Sequence, residues 1–195
     1  MPALRVVILG DSLAYGAGDE SRKGLAGRLP GLQTVNLGVN GAQTSDLQVR
    51  LRNERVRNQI AEADAIVLSI GANDLFRSPH AREQTLRNPL RVAGEILGRI
   101  ESIVRELQVI NHRARILILG GYNPVPNHPL AMMIDGYLQV WDRTLASRFA
   151  DDDRVAVVKV ADLVVPKTLS RYDNFHPGGG AYEEMAKRIA SMLAA

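Results

Sequence analysis

Of the four histidines in the chain, only His176 has a carboxylate three residues before it, in the run Asp173-Asn174-Phe175-His176-Pro177. At that spacing one turn of backbone brings the acid to Nδ1, which fixes the tautomer and leaves Nε2 free to take a proton. The pair reads as an oriented base. Such a base serves a hydroxyl nucleophile, and Ser12 stands where one belongs, in Gly10-Asp11-Ser12-Leu13-Ala14-Tyr15-Gly16 directly after the apolar run Arg5 to Leu9. A strand would fix the position of the serine, a tight turn would expose it, and neighbouring amide N–H groups would point toward whatever it attacks. The same turn also fits a plainer role, with Ser12 capping a helix start.

Two other segments offer hydrogen-bond donors for a developing oxyanion. In Asn36-Leu37-Gly38-Val39-Asn40-Gly41-Ala42-Gln43-Thr44 the second glycine, Gly41, precedes a helix start. No side chain blocks approach to its N–H, and the helix end adds positive potential. In Gly71-Ala72-Asn73-Asp74-Leu75 the Asn73 amide can donate as well. Taken singly, the first is an ordinary strand-to-helix turn and the second a cap for the segment after it. Taken together, the segments supply a nucleophile, a base, its orienting acid and oxyanion donors.

Elements that would position these groups are legible in the apolar pattern. Short runs rich in Val, Ile and Leu cover Arg5 to Leu9, Thr34 to Leu37, Ala65 to Ile70, Arg115 to Leu119 and Val155 to Val160. Continuous apolar runs of this length mark parallel strands buried on both faces. Helical patterns fill the gaps: Thr44 to Ile60, opened by the capping residues Thr44-Ser45-Asp46, then Pro89 to Asn111, Leu130 to Phe149 and Ala181 to Leu193. No repeat or linker interrupts the pattern, so residues 1–195 are expected to form a single α/β domain. In an open parallel sheet, ligands bind outside the carboxyl ends of the strands where strand order reverses, and every candidate residue above follows a strand.

Composition narrows the function classes. With 195 residues, 46% hydrophobic and 23% charged, the chain has the usage of an ordinary folded domain. It has no cysteine, which removes disulfides, thiolate metal sites and cysteine nucleophiles. A net charge of +3 argues no case for nucleic acid, and the densest basic run, Arg50 to Arg57, is broken by Glu54 and reads as a solvated helix face. The longest uncharged stretch, Ile116 to Ile134, carries Pro124, Pro126 and Pro129, so no integral membrane segment is expected. The amino terminus is too short in apolar residues for a signal sequence, which reads as cytoplasmic unless an export leader was removed.

The four blocks resemble the GDSL, or SGNH, hydrolase superfamily, named for Ser, Gly, Asn and His. Gly10-Asp11-Ser12-Leu13 is similar to its first block and Gly41 falls at the glycine of the second, where Gly38 competes for the place. Gly71-Ala72-Asn73-Asp74 fits the third block, Asp173-Asn174-Phe175-His176 the last, and all follow the family's order. Gly121-Tyr122-Asn123-Pro124 resembles the lysophospholipase- or lipase-like branch. The resemblance implies a three-layer α/β/α sandwich on a parallel five-stranded sheet. It also implies Ser12 as nucleophile, His176 as base and later acid, Asp173 as its orienter, and an oxyanion hole from the N–H groups of Ser12 and Gly41 with the Asn73 side chain. The chain lacks the G-x-S-x-G elbow of α/β-hydrolases.

The expected chemistry is hydrolysis of a small acyl ester, short-chain or lysophospholipid, through an acyl-enzyme, with no cofactor and no metal. Activity should rise with pH as the histidine gives up its proton. Leu13, Leu75, Phe76, Tyr122, Val125 and Phe175 lie in or beside the same loops and are candidates to line an acyl groove, or to pack beneath the loops. A carbohydrate deacetylase on the same scaffold would share the catalytic residues. A flavodoxin-like phosphate- or flavin-binding module is the remaining alternative, but the chain lacks G-x-G-x-x-G and G-K-[ST], and that reading leaves Asp173 and His176 without a role.

Overall fold

Five parallel strands form from the five apolar runs: β1 (Arg5–Gly10), β2 (Gln33–Gly38), β3 (Ala65–Ser69), β4 (Arg115–Leu119) and β5 (Val155–Val158). The computed structural model describes residues 3–194, with the side chain of Phe76 outside that description. Strand order is β2-β1-β3-β4-β5, so the chain leaves β1 toward one edge and returns on its other side at β3. This places the reversal of strand order between β1 and β3. Residues of β1 and β3 are buried on both faces, whereas β2 lies at an edge and is only partly covered.

Helices cover both faces, giving the three-layer α/β/α sandwich. On one side lie α2 (Thr44–Arg50), α3 (Glu54–Ala61), α6 (Pro89–Ile110) and α7 (Ala131–Arg148). Their Leu47, Ile60, Ile100, Ile103 and Leu145 pack on Val7, Leu9, Ile66 and Leu68. On the other side α1 (Ser12–Tyr15) and α8 (Gly179–Ala194) bring Leu13, Ala14, Tyr182, Met185 and Ile189 against Val6, Ile8, Val67 and Leu117. Alternation along β1 thus feeds both cores. Each such aliphatic side chain, fully buried, contributes about 1.5–3 kcal/mol. No helix among the described residues is long and apolar enough to cross a membrane.

Three features differ from the sequence reading. The expected helix Thr44 to Ile60 is two helices, because the Asn53 carboxamide oxygen accepts the N–H groups of Arg55 and Val56 and starts α3 afresh. The start of α2 is capped from Gln43, whose N–H donates to Asp46 at 2.9 Å, and not by Thr44. Two helices, α4 (Ala72–Phe76) and α5 (Pro79–Arg87), stand between β3 and α6 where none was expected. No α5 side chain is buried, which is why no apolar period announced it.

Candidate active site

The turn after β1 is built around a close approach of two strands. Gly10 has φ +132°, and a Cβ there would fall 1.7 Å from the Ser69 carbonyl oxygen, so only glycine fits. Asp11 N–H donates to that carbonyl at 2.8 Å. Its Oδ1 accepts the Leu13 N–H at 3.1 Å and the Ser69 hydroxyl at 2.8 Å, capping α1. The cap is therefore Asp11, and Ser12 is the first residue of the short helix, at the reversal of strand order. Asp11 is 4% exposed. Burial pushes its carboxyl up to about 6, against the opposing pull of the Ser69 hydroxyl, the Leu13 N–H and the His176 imidazole.

The next loop is fastened to the same point, since Val39 N–H donates to the Gly10 carbonyl at 2.8 Å. Gly38 has a side-chain acceptor for its N–H, Asn36 Oδ1 at 2.8 Å, and lies packed under the backbone of Tyr15. Gly41 differs: nothing lies within 4 Å of where its Cβ would be. Among the described residues, neither the Gly41 nor the Ser12 N–H has a hydrogen-bond acceptor.

Asn73, the second residue of α4, donates one amide hydrogen from Nδ2 to the Ala42 carbonyl at 3.0 Å, and this sets its side chain beside the Ala42-Gln43 peptide, just past Gly41. One amide hydrogen stays free. The neighbouring Asp74, buried, accepts the Thr44 N–H and hydroxyl and meets Arg99 at 3.2 Å. Arg77 closes the rim through Asp46 at 2.7 Å.

Between β5 and α8 the Asp173 carboxylate lies 2.7 Å from His176 Nδ1 through Oδ2, while Oδ1 accepts the N–H groups of Phe175 (2.9 Å) and His176 (3.0 Å). Burial would raise the acid, but the His176 ring and these N–H groups outweigh it and hold the carboxyl below its ordinary value. Ser170 N–H donates to the His176 carbonyl at 2.8 Å. Glu20 takes the N–H of Arg171 on one oxygen (3.1 Å) and of Gly179 on the other (3.0 Å). The Ser12 loop and the histidine loop abut at Gly18 (φ +84°), where a Cβ would fall 2.6 Å from His176 Cβ.

Two phenols, Tyr182 buried and Tyr122 partly buried, brace this junction. Tyr122 donates to the Phe175 carbonyl at 3.4 Å and Tyr182 to the Ala17 carbonyl at 2.8 Å. Burial, reinforced by the Asp11 charge, pushes both hydroxyls up, so they remain neutral donors.

The candidate groove residues divide by exposure. Leu13 is buried in the core, Leu75 is partly buried against α6 and its neighbours, and Tyr122 is held by its hydroxyl against the histidine loop. Val125 and Phe175 are exposed at the mouth. The Phe76 side chain lies outside the described residues. Three positioning groups went unread in the sequence: Ser69 on Asp11, Asp74 on Thr44, and Glu20 on the histidine loop. Only Asp74 had a signal, its place beside Asn73; the others act across long chain separations.

Comparison with known proteins bears on family and fold. The chain matches the GDSL-like lipase/acylhydrolase family over residues 8–183. An uncharacterized protein of Bacillus subtilis strain 168, YpmR, is 29% identical over 204 residues, covering 94% of this chain and 79% of its own length. Among solved structures, the lipase Lip_vut3 from a goat rumen metagenome superposes with a TM-score of 0.76 at 22% identity, covering 97% of each chain. A family 3 carbohydrate esterase of Clostridium thermocellum gives 0.69 at 16% identity, covering 99% of this chain and 100% of its own. At these identities the two structures speak to the fold.

Proposed function

Because the chain belongs to the GDSL-like lipase/acylhydrolase family, we propose that it is a carboxylic ester hydrolase working through an acyl-enzyme on Ser12. Ser12 Oγ attacks the acyl carbonyl while its proton passes to His176 Nε2. The oxyanion so formed is stabilised by the N–H groups of Ser12 and Gly41 and by the free Asn73 amide hydrogen. On collapse the bond to the leaving alkoxide breaks, and the alkoxide takes the proton from His176. Water then attacks the acyl-enzyme, gives its proton to His176, and the proton returns to Ser12 as the carboxylic acid leaves. Asp173 holds the imidazole in orientation and stabilises the imidazolium in both steps. The scheme needs no metal or cofactor.

The observation that carries this reading is the contact of Asp173 with His176 Nδ1 at 2.7 Å, in a loop packed on the turn that bears Ser12. The N–H groups of Ser12 and Gly41 support the same reading, since oxyanion donors must not be committed to acceptors within the protein. The choice of Gly41 over Gly38 rests on the N–H that Gly38 has already committed.

The test is hydrolysis of p-nitrophenyl esters from acetate to palmitate beside Ser12→Ala. Turnover by the parent and its loss in the variant are expected. Turnover retained without Ser12 overturns the nucleophile, and none by the parent on any ester overturns the substrate class. Release of acetate from acetylated sugars with no turnover of longer acyl chains would move the assignment to carbohydrate deacetylation on the same residues.

A further inference from the structure

In a sheet whose strands are all parallel, every strand-to-helix connection emerges at one end, the end that bears Ser12 and His176. Among the described residues, ten of the fourteen exposed large apolar side chains lie in those connections or in the first turn of the helix that follows. Leu86 and Leu90, at 84% and 80% exposure, stand between β3 and the body of α6. Met132 and Met133 open α7, and Tyr172 and Phe175 flank the Asp173–His176 pair. The remaining four sit at the exits of β1, β2 and β4. Single exposed apolar residues are ordinary, but so many gathered at one end of the sheet, here called a collar, mark a surface that meets something apolar.

Charge on the same rim identifies the partner. Arg22, Lys23, Arg82 and Arg171 are exposed, and among the described residues none of the four meets a carboxylate. Arg22 and Lys23 precede Gly24, which packs on Gly16 beside the Ser12 helix, Arg82 is on α5, and Arg171 is on the histidine loop. Of the rim acids, Asp46 is paired with Arg77 and Glu83 with Arg87, while Glu20 is held by backbone N–H groups, Asp173 by the His176 ring and Asp135 by the Asn123 amide, three carboxylates against the four cations. Exposed cations without a carboxylate partner, interleaved with apolar side chains, complement a surface of anionic headgroups over acyl chains.

We infer that this collar docks the protein on an anionic lipid surface with the opening of the Ser12–His176 site facing the lipid. The inference names the partner of the site proposed above and rests on that reading for its purpose, though its test does not. Docked in this way, the site takes an amphiphilic ester from the surface end-on, with its acyl chain never crossing bulk water.

Binding is measured by co-sedimentation of the Ser12→Ala protein with vesicles of equal phosphatidylglycerol and phosphatidylcholine, and with phosphatidylcholine alone. Retention on the anionic vesicles, weakened by salt, is expected. Combining Leu86→Ser, Leu90→Ser, Met132→Ser and Met133→Ser should lower it by about tenfold or more. The same four changes with Ser12 intact should leave hydrolysis of soluble p-nitrophenyl acetate at the parent rate, which reports an intact fold and site. No retention on either vesicle, or equal retention by the fourfold variant, overturns the proposal. A concentration-dependent dimer in sedimentation velocity that the four changes dissolve overturns it in favour of a second copy. If no protein hydrolyses the soluble ester, the hydrolase reading fails and the vesicle result stands by itself.

Discussion

Asp74 and Thr44, thirty residues apart, are joined by two hydrogen bonds: the Thr44 N–H reaches Asp74 Oδ2 at 3.0 Å and its hydroxyl reaches Oδ1 at 2.5 Å. The pair ties the start of α2, just past Gly41, to the helix that bears Asn73. Two of the proposed oxyanion donors are thereby tied together by a buried residue whose own side-chain partners are Thr44 and Arg99. Asp74→Ala should leave two buried groups of Thr44 without a partner, at about 1–3 kcal/mol for each. A lowered melting temperature and a kcat reduced by about tenfold or more are expected, the latter because displaced oxyanion donors lose most of their effect. Asp74→Asn, which keeps an acceptor, should fall between. Full kcat in Asp74→Ala would dissociate the pair from catalysis.

Asn73→Ala separates a catalytic from a structural effect. Its Nδ2 makes one hydrogen bond, to the Ala42 carbonyl, so the loss of stability should be small, about 0.5–1.5 kcal/mol. Loss of the free amide hydrogen should reduce kcat by about 100- to 1,000-fold with little change in KM. Steady-state kinetics and thermal melts on the same preparation distinguish the two, and a kcat within a few-fold of the parent would remove Asn73 from the oxyanion hole.

What the sequence made legible follows the range of each interaction. The strands were readable because both faces of β1, β3 and β4 are buried, and their ends moved by at most a residue or two where Gly10, Gly38 and Val158 close the ladders. The contact of Asp173 with His176 spans three residues and is encoded in that spacing. The break after α2 shows only as a five-residue step from Leu51 to Val56 between the four-residue steps Leu47 to Leu51 and Val56 to Ile60, a change of phase within an apolar pattern that otherwise continues. Helix α5 has no buried face to leave a period. The grip of Glu20 on Arg171 and Gly179 had no local signature at all, since its partners lie at the other end of the chain.

Glu20 accordingly offers a test of how firmly the histidine loop must be held. Its N–H partners draw the carboxyl below its ordinary value, so it is ionised through the working pH range. Glu20→Ala should release Arg171 and Gly179, letting the His176 loop drift from the Ser12 turn. A kcat reduced several-fold with KM nearly constant is expected, partly restored in Glu20→Gln, whose carbonyl oxygen keeps one of the two contacts. A change confined to KM would mean that Glu20 acts on substrate and not on loop position.

Asp11 places stability and activity in opposition. Its carboxyl is pushed up to about 6 in the folded protein from an ordinary 3.8, so the folded state holds a proton that the unfolded chain has released between those values. The contribution to stability is therefore complete below about 3.8 and is lost as pH rises through about 6; the penalty above that is on the order of 3 kcal/mol. Asp11→Asn retains Oδ1 as acceptor for both Leu13 N–H and the Ser69 hydroxyl and removes the buried charge. It should melt above the parent at pH 7.5 and nearly with it at pH 3.5, both chosen to bracket that window. The ionised Asp11 also faces His176, whose charge in turn pulls the Asp11 carboxyl down, so its loss should disfavour the imidazolium formed in each step. Ester hydrolysis at pH 7.5 should fall several-fold. A variant that is more stable and equally active would confine Asp11 to capping α1.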